Sequence, residues 1–268
     1  MQPKRDITVM GILNLTGDSF YSGSRFLRPD GTPDIPSVLQ RAGEMLSHGA
    51  DILDLGACSS RPGSVPVGAQ TEWERLSPAL EPLREHFPAA RFSIDTCWSE
   101  VIRRCVDRIG PVMVNDISAG TADPRMLGTA VSLGLPYIAM HADRETPSPV
   151  TETVLAFFSD FAVRARAAGL DDWILDPGFG FGKTVRQNYA LLADLGRLQV
   201  FGRPVLVGIS RKSMVYKPLG ITPAEALPAT QTLHMAALER GASLLRVHDP
   251  LEARQTVTLW RQLTNNSL

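Results

Sequence analysis

The sequence predicts an α/β protein in which one parallel sheet closes into a (β/α)8 TIM barrel. Eight short apolar runs each end in a polar or charged cluster, eight segments of helical periodicity alternate with those runs, and the chain has 268 residues. That length is normal for one barrel, so we expect a single domain. An open doubly wound sheet is the alternative, because periodicity does not show closure, and the helix count favours the barrel.

The eight apolar runs have the length and composition of buried strands. The predicted strands cover residues 7–13, 51–55, 92–94, 112–114, 137–140, 173–175, 204–209 and 244–247. In a parallel barrel the carboxyl ends of all strands share one face, and the polar residues that end these runs would meet there. We therefore expect the active site on that face.

The segments between the runs carry apolar residues at helical spacing. The predicted helices cover residues 36–48, 71–85, 99–108, 124–133, 150–168, 186–198, 223–240 and 250–263. Four helical segments are followed by a glycine that can end a helix in the left-handed conformation, at Gly49, Gly134, Gly169 and Gly241. Three begin with an N-cap residue and a first-turn proline, at Asp123-Pro124, Thr222-Pro223 and Asp249-Pro250.

Composition excludes several classes of protein. With 44% hydrophobic and 21% charged residues the chain is globular, and a net charge of -1 gives no general attraction to nucleic acid or to anionic membrane. No apolar stretch approaches the length that spans a membrane, and the start has no signal-peptide core. Three cysteines without C-x-x-C spacing indicate neither a disulfide framework nor a zinc site, so we expect a reducing cytoplasm.

Two long glycine-rich loops follow the first two predicted strands, over residues 15–34 and 57–70. They contain Arg25 and Arg61. Loops of this length can be tolerated insertions, but these two adjoin the catalytic face, and long loops are usually functional. We expect them to close over a substrate.

Asp54, Asp95, Asn115 and Asp176 lie at the ends of predicted strands two, three, four and six. Carboxylates and a carboxamide can together read the amino and ring N–H groups of a flat heterocycle. Any one of them can instead cap the following helix, but four at one face favour a binding pocket. Metal binding by the carboxylates is a weaker alternative, because no His, Asp or Glu set has typical ligand spacing.

The segment from Asp176 to Thr184 is rich in glycine and contains Gly182-Lys183-Thr184, which matches the end of a Walker A loop. The match fails on count, because the first glycine of that motif would fall on Pro177. A glycine-rich turn that lets the backbone approach a ligand remains, with Phe181 as an aromatic wall.

The residues after the last two strands predict an anion site. Barrels often hold anions there, and Lys212, Arg246 and His248 can supply positive charge and donors. Ser213 can begin a helix whose N-terminus suits a carboxylate or phosphate. Arg211 can equally pair with a core carboxylate.

Among the histidines, His48, His86 and His234 fall on or at the end of predicted helices, where a structural role is expected. His141 follows strand five and is left undecided.

Together these residues resemble the dihydropteroate synthase family. The resemblance runs in order along the chain through Met10-Gly11-Ile12-Leu13-Asn14-Leu15-Thr16, Asp18-Ser19-Phe20, Ser59-Ser60-Arg61-Pro62-Gly63, Ser93-Ile94-Asp95-Thr96, Asn115-Asp116-Ile117-Ser118, Asp176-Pro177-Gly178, Gly180-Phe181-Gly182-Lys183-Thr184, Ser210-Arg211-Lys212-Ser213 and Arg246-Val247-His248-Asp249. It implies condensation of 6-hydroxymethyl-7,8-dihydropterin diphosphate with p-aminobenzoate, with release of diphosphate and help from Mg²⁺. It also implies a homodimeric barrel of the kind that sulfonamides target.

The resemblance implies a role for each matching residue. The pterin would be bound by Asp54, Asp95, Asn115, Asp176, Lys212 and Arg246. The diphosphate would meet Asn14, Arg61, Arg246 and His248, with Asn14 also meeting Mg²⁺. The p-aminobenzoate pocket would comprise Phe20, Ser60, Pro62, Phe181, Lys212 and Ser213.

The chain departs from the family pattern at three places. Gly17 replaces a proline, Ser60 replaces a threonine, and Ala142-Asp143-Arg144 follows His141 where the family has a Met-x-Gly turn. Two alternatives follow: a non-catalytic pterin-binding paralogue, and a pterin-dependent methyltransferase. The methyltransferase needs no diphosphate site, so Asn14 and the late-strand cations argue against it.

Overall fold

A computed structural model describes residues 6–15, 32–58 and 67–265. Eight parallel strands form one sheet: β1 (Thr8–Asn14), β2 (Ile52–Gly56), β3 (Arg91–Asp95), β4 (Met113–Asp116), β5 (Tyr137–Met140), β6 (Trp173–Asp176), β7 (Leu206–Val207) and β8 (Leu244–Val247). Consecutive strands pair from β1 to β6 and from β7 to β8, and β1 also pairs with β8. An isolated parallel bridge between Leu175 and Val205 joins β6 to the segment before β7. The predicted barrel is therefore confirmed over the open sheet.

Helices alternate with the strands and cover the outside of the barrel. They are α1 (Ile35–Ser47), α2 (Ala69–His86), α3 (Ser99–Ile109), α4 (Met126–Ser132), α5 (Val150–Ala168), α6 (Val185–Ala193), α7 (Ser213–Tyr216), α8 (Leu227–Glu239) and α9 (Pro250–Asn265). The glycines predicted to end helices, among them Gly169 at φ 77°, adopt positive φ.

Two predicted elements differ most from the structure. The helix predicted at 186–198 ends at Ala193, and a 3-10 helix (Leu195–Phe201) follows, because Asp194 accepts a hydrogen bond from Thr151 and Gly196 disfavours the α-helix. The strand predicted at 204–209 keeps two residues, since Pro204 lacks an N–H for the ladder. The short helix α7 begins at Ser213, where a helix N-terminus was expected, but it was not among the eight helices predicted from periodicity.

Two of the predicted N-cap residues, Asp249 and Asp123, make contacts other than the predicted cap. Pro250 begins α9, but the side chain of Asp249 turns to Arg211. The carboxylate of Asp123 accepts from the backbone N–H of Ser99, so it caps α3 as well as the turn before α4. In both cases tertiary contacts redirect a local capping residue.

Two apolar clusters make up the core. The larger lies between the strands and the helices. The smaller fills the lower part of the barrel interior and contains Met10, Ile52, Ile138, Ile174, Leu206 and Leu244, with Met113 packed against it. We call this smaller cluster the apolar plug. Side chains two residues further along each strand also face the barrel interior, so the next interior layer lies at the carboxyl ends of the strands.

Other sequence predictions can be placed on the fold. None of the three cysteines, which all lie in the described ranges, forms a disulfide. His48 caps α1, His86 ends α2 and His234 is buried in α8, as expected of structural histidines. Across the described ranges, no helix combines the length and apolar character needed to cross a bilayer.

Candidate active site

A buried polar layer lies at the carboxyl ends of the strands, directly above the apolar plug. Asp54 is fully buried and accepts hydrogen bonds from Asn115 Nδ2 at 3.2 and 3.1 Å. Since Nδ2 of Asn115 lies against both carboxylate oxygens of Asp54, Oδ1 of Asn115 is turned away from Asp54 and can accept from a ligand. Asp54 therefore orients Asn115 and joins the site as a supporting residue.

Arg246 on β8 bridges two carboxylates of this layer. Its Nη2 lies 2.6 Å from Asp54 Oδ2 and 2.8 Å from Asp95 Oδ2, and its Nε donates to Asp54 at 2.7 Å. Burial opposes the charge of Arg246, but Asp54 and Asp95 outweigh it and raise the pKa of the guanidinium. One cation thus serves two carboxylates.

The carboxylates of the layer are held in an unfavourable environment. Burial raises the pKa of Asp95, and the charge of Asp54 adds to this while Arg246 opposes it. Burial likewise raises the pKa of Asp176, against the nearby charge of Lys212. Both carboxylates would gain from N–H donors of a ligand.

The glycine-rich loop after β6 packs against the loop after β5. Gly178 donates its N–H to Asp176 at 2.8 Å and has φ 68°. A Cβ on Gly178 would lie 1.9 Å from the carbonyl oxygen of His141, and one on Gly182 would lie 2.3 Å from that of Asp143. Glycine is required here because two backbones touch, whereas the sequence suggested a close approach to a ligand.

Lys212 extends from the start of α7 toward this loop. Its Nζ donates to the carbonyl oxygen of Phe179 at 2.6 Å and lies 4.8 Å from the ring centroid of Phe181. Burial lowers the pKa of Lys212 to about 8, while Asp176 opposes that shift. The structure therefore brings Lys212, Phe181 and Ser213, the first residue of α7, to one side of the barrel opening at the carboxyl ends of the strands.

His248 and Arg211, which follow the last two strands, have different roles. Nδ1 of His248 lies 3.1 Å from Ser210 Oγ, and burial lowers the pKa of His248 to about 4, so it offers hydrogen bonds rather than charge at neutral pH. Arg211 pairs with Asp249 through Nε at 2.8 Å and Nη2 at 2.9 Å, and its Nη1 donates to the carbonyl oxygen of Pro223. The structural alternative for Arg211 is thus confirmed.

Asn14 ends β1 beside Gly56 and close to Asp95. A Cβ on Gly56 would come within 3.2 Å of Asn14 Oδ1, so glycine keeps this space open. Mg²⁺ commonly takes one or two protein oxygens together with substrate phosphates, and the Asn14 carboxamide suits that role. Within the described ranges, no group of three or more His, Cys, Asp or Glu side chains could hold a metal ion.

Four predicted site residues lie outside the described residues: Phe20, Ser60, Arg61 and Pro62. The same holds for Gly17 and for most of the two long loops. Sequence reasoning assigned no role to Lys183, which the structure buries at 8% exposure behind the glycine-rich loop. The sequence signal that could have pointed to Lys183 was its place in Gly182-Lys183-Thr184, the segment that partly matches a Walker A loop.

Comparisons with known proteins agree with this geometry. Residues 10–248 match the family model described as pterin binding enzyme. The dihydropteroate synthase of Escherichia coli K12 is 37% identical over 255 residues, covering 91% of this chain and 87% of that one.

Two solved structures from Xanthomonas albilineans share the fold. Its dihydropteroate synthase with 4-aminobenzoic acid superposes with a TM-score of 0.87 at 34% identity, covering 97% of this chain and 93% of the other. Its complex with 7,8-dihydropteroate gives a TM-score of 0.84 at 33% identity, covering 97% and 94%. This chain belongs to the dihydropteroate synthase family of pterin-binding enzymes.

Proposed function

We propose that this protein condenses 6-hydroxymethyl-7,8-dihydropterin diphosphate with p-aminobenzoate to give 7,8-dihydropteroate and diphosphate in folate biosynthesis. The observation that carries the proposal is the polar layer around Arg246, in which Asp54, Asn115 and Asp176 are buried and Asp95 is partly buried, in a chain of this family. The carboxylate and carboxamide oxygens of this layer can accept from the N–H groups along the edge of a pterin, and the planar guanidinium of Arg246 can stack on the face of the pterin ring.

In the proposed complex Asp95, Asp176 and Oδ1 of Asn115 accept from the amino and ring N–H groups of the pterin. Lys212 hydrogen-bonds the ring, and Arg246 stacks on it. Because the carboxylates are already buried, replacing weak solvation with N–H donors favours the bound state.

The proposed reaction breaks the bond between the pterin methylene carbon and a diphosphate oxygen, and the electron pair leaves with the diphosphate. The positive charge that develops spreads into the ring, where Asp95 and Asp176 stabilise it. Arg246 and the N–H of His248 stabilise the leaving anion, with Arg61 from the second loop. Mg²⁺, held by Asn14, would supply Lewis-acid stabilisation of the diphosphate.

The amine of p-aminobenzoate then forms the new carbon–nitrogen bond and loses a proton to solvent. An arylamine is unprotonated near neutral pH, so positioning supplies much of the rate. We propose that Phe181 provides the wall of its pocket while Lys212 and Ser213 bind its carboxylate. Phe20, Ser60 and Pro62 would complete the pocket.

Turnover tests the proposed function. Pteroate and diphosphate should form when both substrates and Mg²⁺ are present, and neither substrate alone should give pteroate. Absence of pteroate with both substrates would contradict the function. Undiminished turnover in excess chelator would contradict the metal assignment and leave the function standing.

We also propose a homodimer in a reducing cytoplasm. Leu251, Leu259 and Leu263 are exposed at spacings of eight and four on α9, so they share one face of that helix. An apolar stripe of this kind favours a protein partner, and three cysteines that form no disulfide support a reducing compartment. Light scattering should give twice the chain mass, and Leu259→Glu should shift it to the monomer.

A further inference from the structure

Lys183 carries a complete set of hydrogen bonds beneath the glycine-rich loop. Its Nζ lies 2.9 Å from Nδ1 of His141, 2.9 Å from the carbonyl oxygen of Gly178 and 3.1 Å from that of Phe181. The carbonyl oxygen of His141 is a more distant fourth neighbour at 3.4 Å. An ammonium has three N–H donors, and the three close acceptors use all of them.

This arrangement determines the state of His141, which is 1% exposed. Nδ1 can accept from Lys183 only if the ring is neutral and its proton is on Nε2. Nε2 lies 3.2 Å from Asp143 Oδ2, which accepts that proton's hydrogen bond. Burial and the charge of Lys183 lower the pKa of His141, so the neutral ring persists at neutral pH.

The loop that Lys183 holds contributes directly to the site. The same short segment contains three contacts of the site. Gly178 donates its N–H to Asp176, the carbonyl oxygen of Phe179 accepts from Lys212, and the ring of Phe181 lies 4.8 Å from Nζ of Lys212. A movement of this segment would displace Lys212 and Asp176 together. The Nζ atom of Lys183 itself lies against Nδ1 of His141.

We propose that Lys183 is a positioning residue, which uses neutral His141 as its acceptor to hold residues 178–182 in the conformation that places Lys212 and Phe181 for p-aminobenzoate. The inference rests on the substrate contacts proposed above. Asp143 belongs to it as the residue that sets the tautomer of His141.

The tautomer can be measured without any turnover. Nitrogen-15 NMR of histidine-labelled protein should show His141 protonated at Nε2 and unprotonated at Nδ1. Burial and Lys212 lower the pKa of Lys183, to about 8, against Asp176 and Asp143. The Nδ1 resonance should therefore shift as Lys183 loses a proton above that pH. A ring protonated at Nδ1 would overturn the proposal, and so would a His141 resonance that stays constant while the Nζ resonance of Lys183 itself titrates.

Variants supply the matched controls. In Lys183→Met the alkaline shift of the His141 resonance should disappear, and in Lys217→Met, which removes an exposed lysine, it should persist. These spectra are independent of the reaction. A wild-type protein that makes no pteroate would overturn the proposed function and leave this network measurable.

Kinetics complete the test. Lys183→Met should lower kcat/KM for p-aminobenzoate by about tenfold to a hundredfold, mainly through KM, since small misplacements of a bound reactant have effects of that size. His141→Asn places an amide oxygen near the position of Nδ1 and should recover most of the loss seen in His141→Leu. Equal impairment of these two variants, or wild-type kinetics in Lys183→Met, would refute the positioning role.

Discussion

Two adjacent layers of the barrel interior share a backbone and differ in chemistry. On β2 the pleat places Ile52 in the apolar plug and Asp54, two residues later, in the polar layer, and on β6 the same step leads from Ile174 to Asp176. Both layers are buried. The lower one stabilises the fold through the hydrophobic effect, whereas the upper one removes carboxylates from water and so opposes folding.

Burial of charged groups in the upper layer costs free energy of folding, and the pKa shifts of these groups reflect that cost. Burial raises the pKa of Asp95 and of Asp176 and lowers that of Lys212. Arg246 offsets part of this through its pairs with Asp54 and Asp95. The barrel therefore places its stable layer beneath its reactive one, as expected when binding groups are held ready for a ligand.

The largest effect should follow from removing the cation of the upper layer. Arg246→Met leaves Asp54 and Asp95 buried without their partner and should lower the free energy of unfolding by about 3–5 kcal/mol at pH 7. Urea unfolding monitored by tryptophan fluorescence measures it. Arg254→Met is the control, because its pair with Asp51 is partly exposed and should contribute no more than about 1 kcal/mol. Equal losses would contradict the comparison.

Truncating the lower layer should affect stability and leave binding unchanged. Ile52→Ala opens a cavity in the plug and should cost about 2–5 kcal/mol of unfolding free energy. Pterin affinity should stay at the wild-type value, because Asp54 above it keeps its partners. Val163→Ala, at an exposed position of α5, should change neither quantity. A weakened pterin affinity in Ile52→Ala would show that the layers are coupled.

Truncating the acceptors of the upper layer should affect binding. Asp95→Ala and Asp176→Ala should each weaken pterin binding by about 1–3 kcal/mol, the cost of leaving a buried N–H donor unpaired. Calorimetry with a pterin ligand measures this, with the exposed Asp160→Ala as control. Unchanged affinity in both site variants would remove these residues from the pterin contact.

The smallest effect at neutral pH concerns a buried histidine outside both layers, because it develops only in acid. Burial lowers the pKa of His234 to about 4 from 6.5, so its neutral ring stabilises the fold fully above pH 6.5. That contribution is lost as pH falls from 6.5 toward 4, with a slope of about 1.4 kcal/mol per pH unit for one proton. His234→Gln should reduce the slope, measured by urea unfolding at several pH values. An unaltered slope in His234→Gln would show that this ring does not titrate on unfolding.

Much of the polar layer could be predicted from the sequence. Asp54, Asp95, Asn115 and Asp176 were identified as strand-end residues that converge, and the structure brings them together. Local periodicity suffices for this, because parallel strands in a barrel must end on one face. The extent of β7 and the break after α6 were predicted wrongly, since they depend on Pro204 and on the contact between Asp194 and Thr151.

What the sequence determined by itself is the alternation of strands and helices, and with it the identity of the residues at the catalytic face. Tertiary structure decided which of those residues pair. It joined Arg246 to Asp54, 192 residues away in the chain, sent Arg211 to Asp249, and gave Lys183 its acceptor on His141. The physical reason is that side-chain spacing is a property of the local backbone, whereas the partner of a buried charge depends on which distant groups share its cavity.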